Sequence, residues 1–197
     1  EEAGLVKPVT LDNYFNKKST SEIESEWIQF VEDFKPDLIA TTIVEDAYTY
    51  AHRLLGLAKS AHDVPVVVGG SMPTVVPRVM IENPNIDYLV EGEGEVAFKE
   101  LIDALMKDGD VSQVANLWYQ ENGVTKNTGL VKYLDMDEIP FQKLDFWDDK
   151  HFTKPYDGEL RVTGFFEGSR GCMHKCHYCI NRAFQVFQEE AGKVRRN

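Results

Sequence analysis

Val64-Pro-Val-Val-Val-Gly-Gly-Ser-Met-Pro-Thr74 runs from an unbroken apolar stretch into a glycine pair. An apolar run without polar alternation is the pattern of a strand buried on both faces, as in a parallel sheet covered by helices. The surrounding text repeats that unit. Upstream, Ser21–Phe34 spaces Ile23, Trp27, Phe30, Val31 and Phe34 as a helical stripe, and Pro36 ends it. Asp37–Val44 (DLIATTIV) follows as a second strand of the buried type, and residues 47–60 read as a helix with Tyr50, Leu54, Leu57 and Ala58 toward the sheet. Downstream come a short helix over 75–82, a strand at Ile86–Val90 and a helix over Glu95–Lys107. Strands alternating with amphipathic helices predict an α/β fold with a parallel sheet. Val114–Tyr119 and Val124–Asn127, joined at Glu121-Asn-Gly123, then predict a β-hairpin. The stretch 131–159 is acidic and aromatic with spaced prolines, and is expected to connect domains with little regular structure.

In such sheets ligands bind beyond the carboxyl ends of the strands. The candidates are therefore Thr41 and Thr42, Gly69, Gly70 and Ser71, and Gly92 and Glu93 within Glu91-Gly-Glu-Gly-Glu95. Gly92-Glu-Gly-Glu-Val-Ala97 also fits a dinucleotide fingerprint. We reject a nicotinamide site there, because Glu91, Glu93 and Glu95 bring negative charge and the loop follows the last strand of the unit, not the first.

All three cysteines fall in one loop, Gly168-Ser-Arg-Gly-Cys-Met-His-Lys-Cys-His-Tyr-Cys-Ile180. The spacing of Cys172, Cys176 and Cys179 supplies an odd number of soft thiolates, which cannot all pair as disulfides and which leave a metal one ligand short. Two metals suit these donors: an iron–sulfur cluster with one open iron, or a zinc completed by His174 or His177. Arg161–Glu167 (RVTGFFE) is expected as a strand entering the loop, and Asn181 as the cap of a helix through Phe184 and Phe187. Gly168 and Gly171 would let backbone amides approach anionic sulfurs.

Composition narrows the class. With 197 residues, 43% hydrophobic and 27% charged, the chain suits one globular domain plus part of another. Its net charge of −12 argues against nucleic acid as a partner. No apolar run approaches the ~18 residues of a membrane span, and no signal pattern opens the chain. We expect no membrane association and a cytoplasmic location, where clustered thiols stay reduced.

The loops Gly69–Thr74 and Glu91–Glu95, in this order and ahead of the Cys-x3-Cys-x2-Cys loop, resemble the cobalamin-binding domain that precedes the catalytic barrel in one group of radical S-adenosylmethionine proteins. The resemblance runs from about residue 1 to residue 182 and includes Leu134-Asp-Met-Asp-Glu-Ile-Pro-Phe141. It implies a flavodoxin-like domain over 1–130 that includes the hairpin, a linker over 131–160, and over 161–197 the first β/α unit of a truncated radical S-adenosylmethionine barrel. By the same resemblance Cys172, Cys176 and Cys179 bind a 4Fe-4S cluster, with Gly171 and Tyr178 near the S-adenosylmethionine it holds, Tyr178 by the adenine. Cobalamin would lie on the Thr41–Thr42, Gly69–Ser71 and Gly92–Glu93 loops. The implied chemistry is reductive cleavage of S-adenosylmethionine to a 5′-deoxyadenosyl radical, which takes hydrogen from an unactivated carbon. Methyl transfer, cyclisation or rearrangement of a small-molecule substrate follows, with an electron donor such as ferredoxin or flavodoxin. No general acid or base is identified.

Two features depart from the pattern. The D-x-H-x-x-G motif that supplies an axial His to cobalamin in proteins of the methionine synthase kind is missing, and Asp149-Lys-His151 matches it only in part. Residue 1 is Glu, Leu5–Leu11 is expected as a strand, and only residues 180–197 follow Cys179, against about 250 residues in a whole barrel. The chain therefore reads as a central excerpt whose first sheet strand, an interior one in the flavodoxin order, is missing, and which is inactive by itself. The alternative from another class is a non-catalytic cobalamin or small-ligand carrier with a structural three-cysteine metal site.

Overall fold

Ser19 starts the first helix by a reciprocal arrangement that the sequence S-x-x-E encodes. Its hydroxyl accepts from the Glu22 N–H at 3.3 Å, and the Glu22 carboxylate accepts from the Ser19 N–H at 2.7 Å. The helix, α1 (Thr20–Phe34), ends at Lys35 in the left-handed region (φ 48°), just before Pro36. A computed structural model of the protein describes residues 18–107, 109–129, 135–147, 149–164, 166–185 and 195–196. The strand expected at Leu5–Leu11, Phe187, and Val131 and Leu134 of the connector lie outside them.

Ile23, Trp27 and Val31 of α1 are buried, and the Trp27 indole N–H donates to the Leu54 carbonyl at 2.9 Å. That bond fastens α1 to α2 (Tyr48–Ala61). A 3-10 turn at Glu45–Ala47 precedes α2; Leu55 and Ala58 are its buried residues and Leu54 and Leu57 pack against the same core, while Tyr50, expected toward the sheet, is exposed in the first turn.

Strands β1 (Ile39–Thr42), β2 (Val66–Gly69) and β3 (Tyr88–Val90) pair in parallel in that order, Ile39 against Val66, Thr42 against Gly69 and Val68 against Leu89. β4 (Leu117–Glu121) and β5 (Val124–Asn127) extend the sheet antiparallel from β3. Their turn is Asn122-Gly123, with φ 52° and 74°, the pair of positive values that the Asn-Gly signal predicts. The sheet is therefore mixed: a parallel half that matches the flavodoxin-like expectation and an antiparallel half made by the hairpin. Among the described residues β1 forms one edge.

The core divides by the two faces of β2. Val66 and Val68 pack with Val31, Leu55, Met80 and Ile81 under α1, α2 and the short helix α4 (Pro77–Ile81), which follows the equally short α3 (Ser71–Val75). Val67 faces the other way, with Val90, Leu117, and Ala97 and Leu101 of α5 (Glu95–Met106). Burial on both faces explains why β2 reads as continuous valine. Asp87 clamps the strands from below, accepting from the Val66 N–H at 2.7 Å and from Lys59 at 2.8 Å.

The connector holds more structure than its composition predicts. Three 3-10 turns (Met136–Glu138, Leu144–Phe146, Asp149–Phe152) lead into a second hairpin, β6 (Thr153–Tyr156) and β7 (Glu159–Val162). Its turn, Asp157-Gly158, again has two positive φ values, 52° and 78°. This turn corrects the strand expected over Arg161–Glu167: Arg161 and Val162 are held in β7, and the strand entering the cysteine loop is the short β8 (Ser169–Arg170). β8 pairs antiparallel with β9 (Arg195–Arg196). Residues 181–185 after the loop are helical, so the order strand, cysteine loop, helix is present. Asn181 is the first residue inside that helix rather than its cap. Among the described residues no helix is long and apolar enough to cross a membrane.

Candidate functional site

Every candidate sheet residue lies at the carboxyl end of β1, β2 or β3. Thr42 faces Gly69 in register, and the Ile43 N–H just beyond donates to the Gly69 carbonyl at 2.8 Å. Gly70 adopts φ 102° and ψ −166°, a region essentially limited to glycine. A β-carbon there would lie 2.6 Å from the Thr42 Cγ2 and 3.0 Å from the Ile43 carbonyl oxygen. The glycine is thus required by two constraints at once, backbone angle and the close passage of the first loop over the second. Ser71 opens α3, and the Met72 N–H returns to the Ile43 carbonyl at 3.2 Å.

The second and third loops are tied by a residue that sequence reasoning passed over. Thr74, 5% exposed, donates its hydroxyl to the Gly70 carbonyl at 2.7 Å and accepts from the Gly92 N–H at 3.0 Å. Gly92 has φ 80°, and a β-carbon on it or on Gly94 would meet nothing within 4 Å. A constrained glycine in one loop and glycines with open space beside them in the next leave backbone that a ligand can approach closely.

The acidic side chains of the third loop are held by specific partners. Glu91 accepts from the Trp118 indole N–H at 2.5 Å. Glu93 and Glu95 both meet the Arg170 guanidinium, at 3.3 and 2.5 Å, and Glu167 meets it at 2.9 Å. The bond to Glu95 leads the causes that raise the Arg170 pKa above its ordinary value, so it stays charged throughout. Four carboxylates against one guanidinium leave this end net negative, so charge repulsion still argues against a pyrophosphate. The loop's place after the third parallel strand still stands against a dinucleotide site.

Arg170 is followed directly by the cysteine loop. Gly171 has φ 100°, and Cys172, Cys176 and Cys179 are free thiols of intermediate exposure. The first half of the loop is anchored from the helix behind it: the buried Gln185 amide donates to the carbonyls of Cys172 at 2.7 Å and His174 at 2.6 Å. Arg182 donates in turn to the Gln185 side-chain oxygen at 3.0 Å. The Cys179 N–H closes a turn on the Cys176 carbonyl at 3.3 Å. The donor chemistry fits a thiolate-bound cluster, with three reduced sulfurs on one loop and none in a disulfide. Their placement does not yet converge: among the described residues no three His, Cys, Asp or Glu side chains are grouped to hold a metal ion. Tyr178 is 93% exposed, and His174 and His177 are exposed as well. His151 of the partial axial motif packs edge-on against Trp147, with ring centroids 5.1 Å apart.

A pocket of about 340 Å³ lined by Pro84, Ile86, Tyr88 and Tyr119 lies at the amino end of β3, away from these loops. It takes no part in the site.

An α/β domain with glycine loops at its strand ends and a thiol loop tied to the third of them is the class that this geometry defines. Residues 12–102 match the family model of the B12 binding domain. The chain is 35% identical over 159 residues to an uncharacterised methyltransferase of Pyrococcus horikoshii, covering 79% of this chain and 34% of that protein. It is 31% identical over 123 residues, 60% of this chain, to the anaerobic magnesium-protoporphyrin IX monomethyl ester cyclase of Synechocystis, and covers 23% of it. Among solved structures, the radical S-adenosylmethionine methyltransferase TsrM from Kitasatospora setae has a similar fold, with a TM-score of 0.56 at 18% identity, covering 86% of this chain and 34% of that one. Residues 12–102 thus carry a B12 binding domain, and along a longer stretch the chain is similar to cobalamin-dependent radical S-adenosylmethionine proteins. It spans about a third or less of the length of these relatives.

Proposed function

We propose that this chain is the cobalamin-binding and cluster-binding part of a radical S-adenosylmethionine enzyme that transfers a methyl group to, or cyclises or rearranges, an unactivated carbon centre. The observation that carries the reading is a coincidence of position. The strand-end loops that Gly70, Thr74 and Gly92 shape fall within the matched B12 binding domain, and the third of them is joined through Arg170 to the loop bearing Cys172, Cys176 and Cys179. The relatives named as a methyltransferase and a cyclase correspond to two of these outcomes.

When bound, the cluster supplies an electron and an open iron for S-adenosylmethionine, and cobalamin supplies a carrier for a methyl group. The chain's own residues bind and orient. Gly69, Gly70 and Gly92 would let the cofactor approach backbone, and Thr41, Thr42, Ser71 and Glu93 would be the side chains available to hold it. Cys172, Cys176 and Cys179 act as thiolates, and assembly draws them together about the half of the loop that Gln185 already fixes. Gly171 and the exposed Tyr178 flank the place where S-adenosylmethionine would lie. The strand-end loops that would hold cobalamin, Thr41–Asp46, Gly69–Thr74 and Glu91–Glu95, contain no His. A small-molecule substrate, a ferredoxin or flavodoxin as electron donor, and a cytoplasmic location complete the proposal, with domains over 1–130 and 161–197 joined by 131–160.

One observation favours a second reading. Because the three sulfurs are not grouped, a cobalamin carrier with a structural metal, or none, on the cysteine loop fits the same fold. Titration of hydroxocobalamin into the full chain, followed by anaerobic reconstitution with iron and sulfide, separates them. The enzyme reading expects a saturable shift of the cobalamin spectrum at one per chain, and uptake of iron that a Cys172→Ala/Cys176→Ala/Cys179→Ala variant loses while it still binds cobalamin. One zinc per chain, or no iron uptake that depends on the cysteines, favours the carrier, and no cobalamin shift at high concentration contradicts both.

A further inference from the structure

Arg170 uses each face of its guanidinium fork on a different carboxylate. Nε meets Glu167 at 2.9 Å, one terminal nitrogen meets Glu93 at 3.3 Å, and the other meets Glu95 at 2.5 Å. Glu95 is 75 residues away in the chain, and the Arg170 side chain is only 20% exposed. On one side of this contact stands the turn between β3 and α5, with Glu93 and Glu95 flanking Gly94. On the other side Gly171 and Cys172 follow with no intervening residue. A planar fork with fixed donor directions holds three acceptors in a set geometry, which a lysine ammonium does not.

The charge balance makes the contact decisive. Three carboxylates converge on one cation, so its removal leaves like charges facing each other at a half-buried place, and the two loops are driven apart. With it present, the loops are fastened at their closest point. We propose that Arg170 is a positioning residue that fastens the Cys172–Cys179 loop to the Glu91–Glu95 loop, so that the two move as one body and binding at one is registered at the other. The latch itself stands on the contacts above; only the identity of what binds rests on the function proposed for the chain.

Amide hydrogen exchange on the full chain without cofactors tests the latch. In Arg170→Gln, exchange over 91–95 and over 171–179 should both rise about tenfold, as expected for losing charge-assisted bonds that resist local opening. Amides of β2 and α1 should keep their protection. Arg170→Lys should fall between, because charge remains and the fork does not. Glu93→Gln/Glu95→Gln approaches from the other side and should loosen the cysteine loop, which carries the test if Arg170→Gln unfolds globally. Exchange over 91–95 at the wild-type rate in Arg170→Gln, or an unchanged cysteine loop in the double glutamine variant, overturns the proposal. A second arm adds hydroxocobalamin. Protection should spread from 91–95 to 171–179 in the wild type and stop at 91–95 in Arg170→Gln. Protection confined to 91–95 in the wild type overturns the transmitted part, whereas no protection at all counts against the cobalamin reading and leaves the cofactor-free arm to decide the latch.

Discussion

At Gly70 two independent demands meet, and they can be separated by substitution. Ala at this position takes on a φ of 102° and a β-carbon 2.6 Å from the Thr42 methyl, so Gly70→Ala should destabilise by about 1–3 kcal/mol in urea unfolding. Gly92→Ala carries a positive φ but meets no atom within 4 Å, so it should cost less, about 1 kcal/mol. Equal losses at both positions would show that crowding by the first loop is unimportant. Thr74→Val keeps the shape and removes the hydroxyl, leaving the Gly92 N–H without this acceptor, while the Gly70 carbonyl still accepts from the Thr74 N–H at 3.1 Å. The expected cost is about 1–3 kcal/mol, together with weaker hydroxocobalamin binding, because the second and third loops lose their tie. Unchanged stability and affinity would remove Thr74 from the account. The glycines were legible in the sequence because a glycine pair after an apolar run has few other uses. Thr74 and Arg170 were not, since a hydroxyl or guanidinium that bridges distant loops leaves no local spacing to read. An acidic loop and an arginine beside the cysteines were the only hint.

Among the elements, α1 offers the clearest sequence encoding. The Ser19 hydroxyl and then its N–H hold the Glu22 carboxyl below its ordinary range. A lowered folded-state value means a contribution that is present above the unfolded value and is lost as pH falls through the folded one. Glu22→Gln should therefore destabilise at neutral pH, with the gap from wild type closing on acidification; a gap constant with pH would contradict the capping box. Ser19→Ala should cost about 1 kcal/mol. Elements whose signal was strong formed where expected: α1, the valine strand β2, α5 and the Asn122-Gly123 hairpin. The β6–β7 hairpin carried the same kind of signal at Asp157-Gly158, hidden by the acidic, proline-spaced text around it. Once that turn captures Glu159–Val162, the expected strand over 161–167 cannot form. Leu54, Leu57 and Ala58 of α2 meet the core as their spacing predicts, and Tyr50 alone departs, exposed in the helix's first turn.

Over the whole molecule, the parallel half of the sheet sets the ends of three strands side by side, and the antiparallel half carries Trp118 to Glu91 behind the third loop. The cysteine loop reaches that same end through Arg170 rather than through sheet pairing. This arrangement brings two motifs far apart in the chain into contact at one end of the sheet. The most direct test is anaerobic reconstitution of the full chain, counting iron and sulfide and recording the reduced protein's electron paramagnetic resonance spectrum with and without S-adenosylmethionine. The account predicts about four irons per chain and a spectrum that changes when S-adenosylmethionine is added, as an iron with an open position requires. One zinc per chain, or a cluster whose spectrum ignores S-adenosylmethionine, would contradict it.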